Sequence, residues 1–255
     1  MREHRTGRPE PMAEADGIIE GRNAVIEALR AGTPIDKIYL ARGETDAALG
    51  HIASTARGKG IVVVEADRRK LDGMSLTHSH QGVIAMAAVR AYATVDAILS
   101  AAREKGDPPL VVVCDELSDP HNLGAVIRTA ECAGAHGVII PKRRASGLTA
   151  TVARTSAGAL NYTPVAKVTN ISATIEELKE RGLWFVCADM GGESMYRMNL
   201  TGPIGLVIGN EGKGLGRLVR EKCDVIVSLP MKGKINSLNA SVAAGILMYK
   251  AAEKR

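Results

Sequence analysis

The stretch Ile204-Gly-Leu-Val-Ile208-Gly209-Asn210-Glu211-Gly212-Lys213-Gly214-Leu215 decides how this chain is read. Its first five residues are uncharged and largely aliphatic. A run of that length with β-branched members suits a buried strand better than a helix. The run stops at Gly209, Gly212 and Gly214, set around Glu211. Polar groups gathered at strand ends are where α/β sheets place their chemistry. Glycines there let a ligand approach the backbone closely.

Two more clusters follow the same pattern. Upstream, Leu110 to Cys114 reads as a strand and leads to Asn122-Leu-Gly124-Ala-Val-Ile-Arg128-Thr-Ala130, in a helix over 123–133. Downstream, the strand 225–229 ends in Leu229-Pro230-Met231. A loop with Lys232 and Lys234 follows, then Asn236-Ser237-Leu238-Asn239-Ala-Ser241 opens an alanine-rich helix over 237–250. Between the clusters, residues 138–140, 165–168 and 184–187 read as strands. Residues 149–159, 174–181 and 215–222 read as helices. This alternation predicts an α/β fold with a mostly parallel sheet covered on both faces.

Toward the N-terminus, Gly106-Asp-Pro-Pro109 breaks the chain, since two prolines end helices and stiffen linkers. Before it, residues 91–105 read as a connecting helix. Residues 17–90 form a small α/β unit. It has a helix over 22–30 stopped by Gly32, a strand over 35–40, and a helix over 45–57 closing at Gly58. A strand over 61–64, a short helix capped by Asp67 and a strand over 82–89 complete it. The expected organisation is a flexible basic tail (1–16), a small domain (17–90), a linker (91–107) and a larger domain (108–255).

Aromatic residues are 3% of the 255, so the core rests on aliphatic side chains, and base-stacking platforms are excluded as the main grip on any nucleic acid. The formal net charge of +5 favours a polyanionic partner. The four cysteines have no C-x-x-C spacing, which points to reduced thiols in a cytoplasmic protein and to neither zinc nor disulfides. No uncharged apolar run is long enough to span a membrane, and residues 1–16 lack the apolar core of a signal peptide.

The clusters admit plain and functional readings. Leu123, Val126, Ile127 and Ala130 form one buried helix face, and Arg128 lies off it, a solvated side chain or an anion ligand. Gly124, one turn earlier, offers a bare surface beside the guanidinium for a phosphate or ribose. The glycine loop fails both the Walker and the G-x-G-x-x-G spacing, which sets aside a nucleotide hydrolase. Ser237 suits the N-cap of the last helix, and capping leaves Asn239, a weak helix former, unexplained. His78 and His80 lack a third ligand, so no metal site is expected.

In order and spacing the three clusters resemble the three motifs of the SpoU family of RNA ribose 2′-O-methyltransferases. The segments from Lys142 to Thr149 and Arg154 to Ala159, and the small unit from Ile19 to Ile84, also resemble that family, so the likeness spans 17–255. It implies a C-terminal trefoil-knotted parallel sheet, an exception to the rule against knots, with a small N-terminal α/β/α substrate-binding domain. It implies a homodimer with the active site at the subunit interface and S-adenosylmethionine as methyl donor, with no metal. By the same likeness, Ile208, Gly209, Asn210, Leu229, Met231 and Leu238 line the donor pocket, and Asn122, Arg128, Glu211, Ser237 and Asn239 form the catalytic set. The two-domain form looks most like enzymes that methylate a guanosine of large-subunit ribosomal RNA.

Arg128 is then either a base of strongly lowered pKa or a clamp on the neighbouring phosphate, the second being more economical for a guanidinium. Arg22, Lys142, Arg143, Arg144, Arg154, Lys232 and Lys234 are the expected RNA contacts, with the His80-Gln81 segment helping to choose the target. The alternatives are a guanosine of transfer RNA, an adenosine of ribosomal RNA as in the antibiotic-resistance branch, or RNA binding without catalysis.

Overall fold

The computed structural model describes residues 17–44, 46–210 and 212–255. The expected tail 1–16 and Glu211 lie outside the described residues. The chain divides into two compact units, Met1–Ala88 and Val89–Arg255.

In the first unit β1 (Ile18–Glu20), α1 (Arg22–Ala31), β2 (Ile35–Ala41), α2 (Ala47–Gly58), β3 (Val62–Ala66), α3 (Arg68–Met74) and β4 (Val83–Ala87) follow in order. The sheet order is β1-β4-β2-β3, with β2 and β3 parallel and the other pairs antiparallel. Side-chain alternation builds two cores. Ile38, Leu40, Val83 and Ala85 face Val25 and Leu29 of α1 and Ile52 and Ala56 of α2. Tyr39, Ala41, Ile84 and Met86 face Leu71 and Met74 of α3. The result is the expected α/β/α sandwich. Gly32, with φ 71°, ends α1, and Asp67 caps α3 through the Arg69 amide. Helix α2 runs through Gly58 to a cap at Lys59, one residue past the expected stop.

The second unit contains α4 (Val95–Lys105), β5 (Leu110–Cys114), α5 (Pro120–Cys132), β6 (Gly137–Pro141), α6 (Ala150–Thr155), β7 (Val165–Val168) and α7 (Ile171–Glu180). Then come β8 (Trp184–Ser194), β9 (Ile204–Ile208), α8 (Arg217–Lys222), β10 (Val225–Ser228) and α9 (Ala240–Ala252). The six strands are ordered β10-β8-β9-β5-β6-β7 and every pair is parallel. On one face Val111, Val113, Ile139, Phe185 and Val207 pack against Ile98 and Leu99 of α4 and Ile175 and Leu178 of α7. The alternating residues Val112, Ile140, Val186 and Leu206 are also fully buried, and α5 and α9 pack on one another and on the sheet.

Helix α4 is the connecting helix expected within 91–107, and it packs on the sheet of the second unit. Its Ile98 sits so close to β6 that a Cβ on Gly137 would lie 2.6 Å from Ile98 Cγ1. The prolines 108 and 109 end α4 without detaching it, and the two units divide at Ala88/Val89. Strand β8 is also longer than expected. Cys187 pairs with Ile226 and Glu193 with Val227, so Ala188–Gly192 bulge out between consecutive residues of β10. Gly192 permits this, because a Cβ there would stand 2.4 Å from the Ile226 carbonyl oxygen.

Candidate active site

The glycine loop after β9 is closed on itself and tied to the end of β5. Asn210 and Gly214 exchange backbone hydrogen bonds at 2.8 and 2.9 Å, and Gly214 has a left-handed φ of 66°. The Asn210 carboxamide oxygen accepts from the amides of Gly212 and Lys213, while its Nδ2 donates to the Glu116 carbonyl oxygen at 3.0 Å. At the far end of the loop the Gly216 amide donates to Asp115 Oδ2 at 2.8 Å. Burial raises the Asp115 carboxyl above its ordinary range. The Gly216 amide opposes that shift, neighbouring Glu116 adds to it, and Arg144 lowers it. Gly209 lets the two arms of the loop close: a Cβ there would lie 2.5 Å from the Gly214 carbonyl carbon.

Against this loop lies a cavity of about 420 Å³ at the ends of β8, β9 and β10. Ile208, Gly209, Asn210, Leu229, Met231 and Leu238 all line it, so the structure brings together the six residues named from the sequence for the donor pocket. Ser237, named for catalysis, lines it too. The wall not foreseen is the β8 bulge, which contributes Ala188, Asp189 and Met190. Asp189 is the first charged residue after an apolar run, a signal of the kind that marked the other clusters. A parallel strand that kinks away from its neighbour has no such signature in sequence.

The first and third clusters meet at the starts of α5 and α9. Asp119 caps α5, accepting from the amides of His121 and Asn122, with Pro120 opening the helix. The helix therefore starts three residues before the expected 123, and the Asp-Pro pair was the available signal. Burial works to raise the Asp119 carboxyl, but donation from the Asn122 side chain and the two amides leaves it lowered. Asn239, not Ser237, caps α9: its Oδ1 accepts from the amides of Ser241 and Val242. Its Nδ2 donates to Asn122 Oδ1 at 2.9 Å. One side chain thus caps a helix and joins it to α5, which accounts for an asparagine at that position.

Arg128 is exposed on α5 and does not line the cavity. Gly124 is not the bare anion surface expected beside it. It is buried where α5 crosses α6, and a Cβ there would lie 2.6 Å from Thr155 Cβ and 3.0 Å from the Val152 carbonyl oxygen. Glu211 lies outside the described residues.

Of the expected RNA contacts, Arg143, Arg144, Arg154, Lys232 and Lys234 are exposed and Lys142 is half-buried. Arg144 pairs with Glu116 at 3.0 Å, and Arg154 reaches Thr151 Oγ1 at 3.3 Å. In the first unit Arg22 pairs with Asp46 at 2.8 Å and donates to the Gln81 carbonyl oxygen. Both residues line a cleft of about 710 Å³ with Asn23, Glu44, Asp46 and Arg68. This cleft is the larger of the two, but its cations pair with carboxylates of the same unit. The smaller cavity sits where parallel strands end, which is where the fold concentrates chemistry. His80 is 2% exposed, bonded through Nε2 to Asp72 and accepting at Nδ1 from the Gly82 amide, so it braces its loop. Among the described residues, no group of three or more His, Cys, Asp or Glu is placed to hold a metal. No helix among them is long and apolar enough to cross a membrane.

Residues 109–249 match the model of the SpoU rRNA methylase family. The chain belongs to that family. Residues 18–93 match a second model, RNA 2′-O ribose methyltransferase substrate binding. A Bacillus subtilis protein named for the TrmH family of tRNA/rRNA methyltransferases is 48% identical over 246 residues, covering 96% of this chain and 98% of its own. A Mycobacterium avium tRNA/rRNA methyltransferase is 43% identical over 251 residues, covering 97% and 81%. Among solved structures, the SpoU methyltransferase AviRb of Streptomyces viridochromogenes, in complex with AdoMet, has a TM-score of 0.57. It is 26% identical and covers 94% of this chain and 90% of its own. The parallel sheet, with β9 laid inside β8 and β10 outside it, belongs with that SpoU methyltransferase fold class.

Proposed function

We propose that this SpoU family protein transfers the methyl group of S-adenosylmethionine to a ribose 2′-oxygen of RNA, the acceptor being a guanosine of large-subunit ribosomal RNA. The observation that carries this reading is the cavity at the ends of β8, β9 and β10. Its volume of about 420 Å³ falls within the usual range for small-molecule sites, about 300–1,000 Å³. Its lining combines the apolar Ile208, Val227, Leu229, Met231 and Leu238 with Gly209, Gly212 and Gly214, which suits an adenosyl group. Gly209 lines the cavity, and the lack of a Cβ there lets the loop close on itself at Gly214 and Leu215. When bound, S-adenosylmethionine supplies an electrophilic methyl group.

The chain's own tasks are then to place the 2′-hydroxyl in line with the methyl group, whose bond to sulfur breaks as the C–O bond forms, and to let the hydroxyl proton pass to bulk water while S-adenosylhomocysteine leaves. Ile208, Leu229, Met231 and Leu238 cover the cavity, and Asn210 fixes the backbone around it. Ser237 at its rim and Asn122, joined to Asn239, offer hydrogen bonds to the ribose. Holding the acceptor in line contributes up to about 7–11 kcal/mol to lowering the barrier. Arg128 grips the phosphate beside the target through its planar donor pair, the role for which a guanidinium is suited. It lies off the cavity of its own subunit, so a partner subunit completes the site. Val242, Ile246 and Tyr249, exposed along one stripe of α9 after Leu238, supply an apolar surface for such a homodimer. Lys142, Arg143, Arg144, Arg154, Lys232 and Lys234, with Arg22 of the small unit, contact phosphates, and an RNA target places the protein in the cytoplasm.

The test incubates the protein with methyl-labelled S-adenosylmethionine and, separately, ribosomal and transfer RNA. Label in alkali-resistant dinucleotides whose 5′ member is a guanosine of the large-subunit RNA is the expected result. Label in transfer RNA, or at an adenosine, replaces the substrate and keeps the reaction. Donor binding without label in free RNA, tRNA or assembling ribosomal particles refutes methylation of RNA.

A further inference from the structure

Asp189 stands in the cavity for a reason that its fold position alone does not explain. The bulge Ala188–Gly192 lifts it out of the β8–β10 ladder and turns it beside the glycine loop, where a Cβ on Gly214 would lie 3.9 Å from Asp189 Oδ1. Among the described lining residues it is the sole carboxylate. Both oxygens are anchored: Oδ1 accepts from the Met190 amide at 2.8 Å and Oδ2 from Arg220 Nε at 2.9 Å. The side chain is 27% exposed. Structural bracing would be satisfied by these two donors, but a braced carboxylate does not need to face a ligand cavity.

We infer that Asp189, positioned by Arg220, accepts hydrogen bonds from the vicinal ribose hydroxyls of the adenosyl ligand. This rests on the S-adenosylmethionine reading above. An ionised carboxylate offers about four lone-pair sites. Two are used, one on each oxygen, so one remains on each, the pattern into which two neighbouring hydroxyls donate. Arg220 also sets the selectivity. Its guanidinium offsets the charge of Asp189, which weakens the site for an ammonium and leaves it suited to a neutral diol. The location agrees with general α/β practice, in which an acid at the end of a strand beside a glycine-rich turn holds a ribose. Apolar Ile208, Leu229 and Leu238 are then left for the base.

Isothermal titration of the full-length protein tests this with S-adenosylhomocysteine, with 5′-methylthioadenosine, which keeps the diol but has no amino acid, and with the 2′,3′-dideoxy form of the latter. A hydrogen bond to a charged group is worth about tenfold or more in affinity. Asp189→Ala is expected to weaken the first two ligands alike by about that factor. Wild-type protein is expected to bind the dideoxy compound about tenfold more weakly than 5′-methylthioadenosine, and Asp189→Ala to bind both equally. Asp189→Asn and Arg220→Ala should fall between, and with the wild-type diol comparison they decide the matter if the alanine variant does not fold. The inference is overturned if Asp189→Ala still discriminates against the dideoxy compound, or if only S-adenosylhomocysteine loses affinity, which would assign the carboxylate to the ammonium. Failure of wild-type protein to bind any adenosyl ligand would instead remove the methyl-donor reading itself.

Discussion

Replacing Gly209 with alanine tests the proposed cofactor cradle at its tightest point. The added methyl would stand 2.5 Å from the Gly214 carbonyl carbon and 2.7 Å from both the Gly214 oxygen and the Leu215 nitrogen, where ordinary contact begins at 3.4 Å. All three neighbours are backbone, so no side chain can rotate away. The segment is also closed by the paired Asn210–Gly214 bonds, by the Asn210 carboxamide and by Asp115. Overpacking of this kind costs about 1–3 kcal/mol. Two routes of relief exist: the loop opens in the free protein, or the strain persists and the whole unit loses stability. If the loop opens, reclosing it on the ligand weakens binding by about 5-fold to 150-fold. Titration of S-adenosylhomocysteine, together with thermal unfolding of the same samples, separates the two. The variant should lose affinity, Tm or both by a total in that range. Binding within twofold of wild type at an unchanged Tm would refute the cradle.

Gly124→Ala should destabilise the second unit by about 1–3 kcal/mol, because its Cβ meets Thr155 at 2.6 Å. At about 2–4 °C per kcal/mol, differential scanning calorimetry should show a Tm lower by several degrees; an unchanged Tm would restore Gly124 as an open surface. Asn239→Ala loses the α9 cap, worth about 0.5–2 kcal/mol, and its bond to Asn122. Asn239→Asp keeps the cap and loses only the donor to Asn122, so it should unfold at a higher temperature than the alanine variant, and equal Tm values would argue against capping. Asp115 has a raised carboxyl pKa, so the folded state binds its proton more tightly than the unfolded chain does. Its contribution to stability therefore falls as pH rises from about 4, the unfolded value, to the raised folded value, and is level above it. Denaturant titration across that window should show the difference between wild type and Asp115→Asn changing with pH in that sense; a constant difference would contradict it.

Much of the fold was legible because burial imposes period and length. Strands β5, β7 and β9 have the bounds their apolar runs predict. Gly32 and Asp67 act as the helix signals they resemble. The six residues named for the donor pocket through the motif resemblance do line one cavity, and all but Leu238 lie within three residues of a strand end. Less visible was what depends on a second segment. Pro108-Pro109 looked like a domain break, yet Ile98 one helix earlier packs against β6. Gly124 looked like room for an anion, and it is room for Thr155. Ser237 looked like the cap and Asn239 like an orphan, whereas the cap lies two residues later, at Asn239, which holds both the helix end and Asn122.

The chain by itself determined the class of the sheet, the existence of two α/β units, the order of the three polar clusters and their membership in one family, since each rests on local propensity, periodicity or motif spacing. Only the tertiary structure decided that β8 bulges to bring Asp189 into the cavity, that Asp115 and Glu116 fasten the glycine loop from a strand ninety or more residues earlier, and that the Asn122 and Asn239 side chains meet at 2.9 Å. The physical reason is the same in each case. A hydrogen bond or a steric limit between distant segments depends on where the sheet places both partners, and neither segment carries the other's coordinates.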